Sequence, residues 1–169
     1  VYTLVEVSEE TIFAAADHSR LFRSTDGGIS WTLVSTVPKA LVNGEESEVP
    51  AWDLTARHSD LFARIFNRGV YMSVDGGVSW SSITPDHLLA EDQDWEAIPY
   101  QLKFDSKAYN LFAASGSGLW RTKIKSTLDG LSIEEWQRLP FSRIGTSFDV
   151  RTLSLSTIRA KTPPGTLLI

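Results

Sequence analysis

A chain of 169 residues is long enough to bury a core, and 42% hydrophobic with 22% charged content excludes a disordered polymer. The formal net charge of -5, with no offsetting block of lysine and arginine, argues against a nucleic-acid binder held by phosphate contacts. The absence of cysteine excludes disulfides and thiolate metal sites and leaves the redox compartment open.

No apolar run approaches the roughly 18 residues of a membrane span, so none is expected. No signal peptide is visible. The chain starts at Val1 in strand-like sequence, without Met, and reads as a mature or trimmed product. A first unit is expected over about residues 1–35. Its strands Thr11-Ile12-Phe13-Ala14-Ala15 and Leu21-Phe22-Arg23 lead into Ser24-Thr25-Asp26-Gly27-Gly28-Ile29-Ser30-Trp31. That phrase returns 49 residues later as Ser73-Val74-Asp75-Gly76-Gly77-Val78-Ser79-Trp80, identical at six of eight positions. Such a period marks a chain built from copies of one unit.

The second unit, about 51–83, reads as four short strands over 51–57, 61–66, 70–73 and 79–83. The third, about 99–139, opens with Asn110-Leu111-Phe112-Ala113-Ala114 and Gly118-Leu119-Trp120-Arg121. Its phrase is worn: Ser126, Asp129, Gly130 and Trp136 remain at stretched spacing. A partial fourth unit is expected over about 149–169. Short antiparallel strands in units of this length predict an all-β chain of β-propeller blades, about three full and part of a fourth. An isolated blade cannot bury both of its faces, so neighbouring blades must stack on it.

The repeated phrase joins a third strand to a fourth. Asp26 and Asp75 can accept hydrogen bonds from the turn's own N–H groups. Gly28 and Gly77 supply positive φ where the chain reverses. Ser24 and Ser73 can add a hydroxyl bond, and Trp31 and Trp80 can cover the turn. These residues, with Asp129 and Trp136 in the third unit, are expected to be structural.

S-x-D-G-G-x-S-W resembles the Asp-box, or BNR repeat, of sialidase-like β-propellers, and the resemblance covers nearly the whole chain. Families sharing it include sialidases, xyloglucan-cleaving endoglucanases, sortilin-type receptors and a photosystem II assembly factor. The resemblance implies a box on the outer rim, away from the ligand face, and so a fold and not an activity. It also implies an extracytoplasmic or secreted location. Three and a half blades are too few to close a ring. The remaining blades are expected from a longer chain, another chain or self-association. The end at Ile169, in mid-strand, favours a fragment or a second chain.

Function is expected in the loops between units. One, 36–50, holds Glu45, Glu46 and Glu48; the other, 84–99, holds Asp86, Glu91, Asp92, Asp94 and Glu96, with only Lys39 opposing them. A short helix is expected around His87 to Trp95. A shared acidic face reads first as a solvated surface. It also reads as a binding face of Glu45, Glu46, Glu48, Asp92, Asp94 and Glu96, with Trp52 or Trp95 as a stacking platform for a protein or carbohydrate. Three scattered histidines, His18, His58 and His87, lack metal-ligand spacing, so no metal and no cofactor is expected. A sialidase would need three arginines on one centre and an F/Y-R-I-P motif. The nearest string, Gln137-Arg138-Leu139-Pro140, lacks the aromatic and reads as a strand end. The expected function is a non-catalytic binding or scaffolding module. The alternatives are part of a glycoside hydrolase using paired loop carboxylates and an assembly factor holding a basic partner.

Overall fold

Alternating apolar positions bounded by Gly, Asn and Asp favour antiparallel strands joined by tight turns. The computed structural model describes residues 1–42, 44–48, 51, 53–66, 68–84, 99–115, 118–127 and 130–139, with backbone alone at 40–42, 99 and 100. Every regular element among them is a β-strand. The chain divides into two compact units, Val1–Leu89 and Ala90–Ile169. The expected fourth copy over 149–169 and the helix expected around His87 to Trp95 lie outside the described residues.

In the first unit, β1 (Thr3–Glu6), β2 (Ile12–Ala15), β3 (Arg20–Ser24) and β4 (Thr32–Thr36) form one antiparallel sheet in chain order. The chain then makes a small hairpin of β5 (Ala40–Val42) and β6 (Glu45–Ser47), where the sequence reads as a loop. A second four-stranded sheet follows: β7 (Asp53–Arg57), β8 (Asp60–Ile65), β9 (Gly69–Ser73) and β10 (Ser81–Ser82). Its last strand is shorter than the sequence suggests, although Ile83 still donates to Val70.

Register decides which side chains share a face. Val5, Phe13, Arg23 and Thr32 form one row of the first sheet, and Thr3, Ala15, Leu21 and Ser35 another on the same face. Phe13, Ala15 and Leu21 from this face join Leu54, Leu61, Ala63 and Ile65 of the second sheet in one core. Burial of Phe13 or Leu21 contributes roughly 1.5–3 kcal/mol each. The opposite face of the first sheet carries Leu4, Phe22 and Leu33 in a row, and Leu4 and Leu33 are more than half exposed.

The second unit holds β11 (Pro99–Asp105), β12 (Asn110–Ser115), β13 (Gly118–Thr127), β14 (Gly130–Ile133) and β15 (Gln137–Arg138). β13 spans ten residues. β14 pairs with its far half and β15 with its near half, so two short pieces together occupy the place of a fourth strand.

Candidate functional site

The repeated phrase forms the same turn twice. Ser24 ends β3, is buried, and accepts from the N–H of Gly28 at 2.8 Å while donating to Asp26 Oδ1 at 2.7 Å. Asp26 accepts from the N–H of Ser30 at 2.9 Å and from its hydroxyl at 2.5 Å. The Trp31 indole donates to the Gly28 carbonyl at 3.0 Å. The second copy repeats each bond: Ser73 to Asp75 at 2.8 Å, Gly77 N–H to Ser73 at 2.8 Å, Ser79 N–H and hydroxyl to Asp75 at 2.9 and 2.6 Å, and Trp80 to the Gly77 carbonyl at 3.1 Å. Gly28 and Gly77 take φ 92° and 91°, a region that favours glycine.

These bonds favour the charged carboxylate. Both Asp26 and Asp75 are lowered to about 2, first by the hydroxyl of Ser30 or Ser79 and then by that residue's backbone N–H. The folded value lies below the unfolded one near 3.8. The stabilisation is therefore complete above about pH 4 and is lost as pH falls toward 2. An Asp26→Asn, Asp75→Asn double variant is expected to lose less stability than the parent over that window. Urea midpoints at pH 7, 4 and 2.5 measure it, and parallel curves would contradict the assignment.

The third copy is built differently. Ile12 faces Ser24, Leu61 faces Ser73, and Leu111 faces Thr122 across their strand pairs. Thr122 therefore holds the place of the turn serine, and Ser126 lies four residues further along β13. The Thr122 hydroxyl donates to the carbonyl of Glu134 at 2.6 Å. Trp136 keeps its register: it precedes Gln137, which faces Arg121, as Trp31 precedes Thr32, which faces Arg23. Asp129 lies outside the described residues. Thr122→Val is expected to cost about 1 kcal/mol, because a partly buried carbonyl loses its donor. Ser126→Ala, on an exposed residue, is expected to stay within about 0.5 kcal/mol. Urea unfolding of both variants checks the assignment.

Of the acidic binding face, the described residues hold one hairpin. Glu45 and Glu46 lie on β6 and Glu48 follows it. Glu46 pairs with Arg68 at 2.8 Å and Glu48 with Lys39 at 3.4 Å. Arg68, in the β8–β9 turn, is an opposing cation the sequence reading missed, because only the fold brings it beside β6. Trp52, Asp92, Asp94, Trp95 and Glu96 lie outside the described residues. Arg57 pairs with Asp60 at 3.6 Å and Arg64 is buried. Burial raises Asp60, and Arg57 opposes that rise. His18 and His58 occupy tight turns at φ 56° and 52°. Among the described residues no three His, Asp or Glu side chains gather to hold a metal ion.

One concavity of the first unit escapes sequence reasoning. A groove of about 320 Å³ opens between the two sheets. Phe13 and Val7 line it with Arg23, and Ser8, Thr11, Thr25, Ser59, His58 and Gly76 complete its walls. The one available signal was a break in the repeat: Arg23 faces Phe13 where Met72 faces Phe62.

The fold has counterparts among solved structures. The chain is similar to YCF48 bound to a D1 peptide, with TM-score 0.57 and 17% identity over 83% of this chain and 40% of that one. The sheets are β-propeller blades. A second likeness is to the GH74 xyloglucanase from Xanthomonas campestris, with TM-score 0.54 and 13% identity over 82% of this chain and 23% of that one. The chain thus spans less than half the length of either protein. No family model matches it, and no curated protein matches it. At these identities the likeness carries the blade fold alone.

Proposed function

We propose that the chain is an Asp-box propeller module that binds a protein partner and catalyses no reaction. The observation that carries this reading is the state of the acids that the repeat places. Asp26 and Asp75 accept hydrogen bonds from their own turns and are held at about 2, far below the value a general acid needs near neutrality. Of the other acids, Glu46 and Glu48 face cations across ion pairs. Acids so occupied offer contact surface more readily than proton transfer. YCF48, a propeller with a bound peptide, supports the same reading.

The xyloglucanase likeness supports a second reading, part of a glycoside hydrolase, which requires two carboxylates about 5–10 Å apart across a cleft. One paired experiment separates them. An array of acidic, basic and neutral peptides is probed with the chain, and xyloglucan is incubated with it and assayed for new reducing ends. Selective peptide capture without hydrolysis is the expected result. Hydrolysis without peptide capture overturns the binding reading.

A further inference from the structure

The geometry points to a binding site for an acidic side chain of a peptide in the groove between the first two blades; this rests on the protein-binding reading above. The groove is made by the β1–β2 turn, β2, the end of β3, the β7–β8 turn and both copies of the repeated turn. Its apolar lining is Phe13 and Val7. Arg23 stands beside it on the row of Phe13, and His58 reaches it from the neighbouring blade.

The repeat does not demand Arg23. The equivalent residue of the second blade is Met72, and that of the third is Arg121, whose guanidinium bonds Gln137 at 2.9 Å. Arg23 is exposed, and its guanidinium has no hydrogen bond or ion pair among the described residues. The hydroxyls of Thr11, Thr25 and Ser59 are likewise without partners among those residues. Ser8 uses its hydroxyl to accept from the N–H of Thr11 at 3.1 Å. A guanidinium, an imidazole and three open hydroxyls around an apolar lining fit a carboxylate on a short apolar neighbour.

The acids closest in the chain do not supply that carboxylate. Asp60 faces Arg57, and Asp26 and Asp75 are bonded within their own turns. Glu9 and Glu10 share the β1–β2 turn and are exposed, but they do not line the groove. Their negative charge favours a ligand that combines one carboxylate with apolar contacts over a free multivalent anion.

The test titrates the full chain with acetyl-Val-Glu-Val-amide, with acetyl-Val-Gln-Val-amide and with inorganic phosphate, and follows backbone amide shifts by NMR. Saturable shifts at Ser59, Gly76 and His58 with the glutamate peptide are expected. Arg23→Ala is expected to weaken binding at least about tenfold, the scale of a lost charge-assisted hydrogen bond. Arg23→Gln, which keeps most of the side chain's bulk, is expected to weaken it as well. Arg20→Ala, which removes the same charge from the opposite face of β3, is expected to leave it unchanged. Equal binding of the glutamine peptide or of phosphate overturns the proposal, as does binding that survives loss of Arg23. Array capture of basic peptides that is lost on reversing Glu45, Glu46 and Glu48 would overturn this site while keeping the protein-binding reading.

Discussion

Gly77→Ala is expected to destabilise the first unit by about 2–5 kcal/mol, while Gly28→Ala at the same position of the first turn costs about 1–2 kcal/mol. Both glycines have nearly the same positive φ, so the backbone term is shared. The difference is packing. A Cβ on Gly77 would collide with Leu21 Cδ2 and lie 3.2 Å from Leu61 Cδ1, both on fully buried side chains. A Cβ on Gly28 would meet Ile12 and Trp31 at 3.7 and 3.8 Å, ordinary contact distances. The Gly77 carbonyl is also fixed, accepting from the Trp80 indole and from the Ser35 hydroxyl of the neighbouring blade. Gly77 is therefore part of the seam between blades, whereas a Cβ on Gly28 would meet only Ile12 and Trp31 of its own blade.

A double-mutant cycle isolates that seam. Leu21→Ala alone is expected to cost about 2–5 kcal/mol by leaving a cavity beneath Gly77. In Leu21→Ala, Gly77→Ala the new methyl enters the space that Leu21 vacates. The double variant should then be more stable than the sum of the single losses by about 1–3 kcal/mol. Urea unfolding with linear extrapolation measures all four proteins. Losses that add to within about 0.5 kcal/mol would mean that Leu21 yields without cost and that the seam is loosely packed.

The blade architecture was legible because the repeat writes its rules locally. Ser24, Asp26 and Gly28 interact within eight residues, so their spacing alone predicts their bonds. Trp136 was legible for the same reason, since it precedes its strand at a fixed register. Thr122 was not, because Ser126 stands before Asp129 and Gly130 in the order of the repeated phrase, and only strand pairing identifies the residue facing Leu111. The β5–β6 hairpin was read as a loop, since its three-residue strands are too short to show a period. Arg68 beside Glu46 and Arg23 beside His58 depend on residues brought together across turns and blades. No local pattern encodes such juxtapositions, and these are the places where recognition is decided.

Leu54→Ala is expected to cost about 2–4 kcal/mol, and Leu4→Ala no more than about 0.5 kcal/mol, although the two leucines hold one place in the repeat. Leu4 stands in the row of Ala14 and Phe22, and Leu54 in the row of Ala63 and Tyr71. Leu54 is 4% exposed because its face belongs to the core shared with Phe13 and Leu21 of the first blade. Leu4 is 59% exposed, and on the same face Tyr2 is 64% and Leu33, at the other edge of the sheet, 53% exposed. A leucine already in water loses little transfer free energy on truncation, and no cavity forms. The contrast therefore measures what one blade contributes by covering the next. It also tests whether the outer face of the first blade is free in solution. If Leu4→Ala costs as much as Leu54→Ala, that face is covered. A loss that grows with protein concentration would then identify the cover as a second copy of the chain.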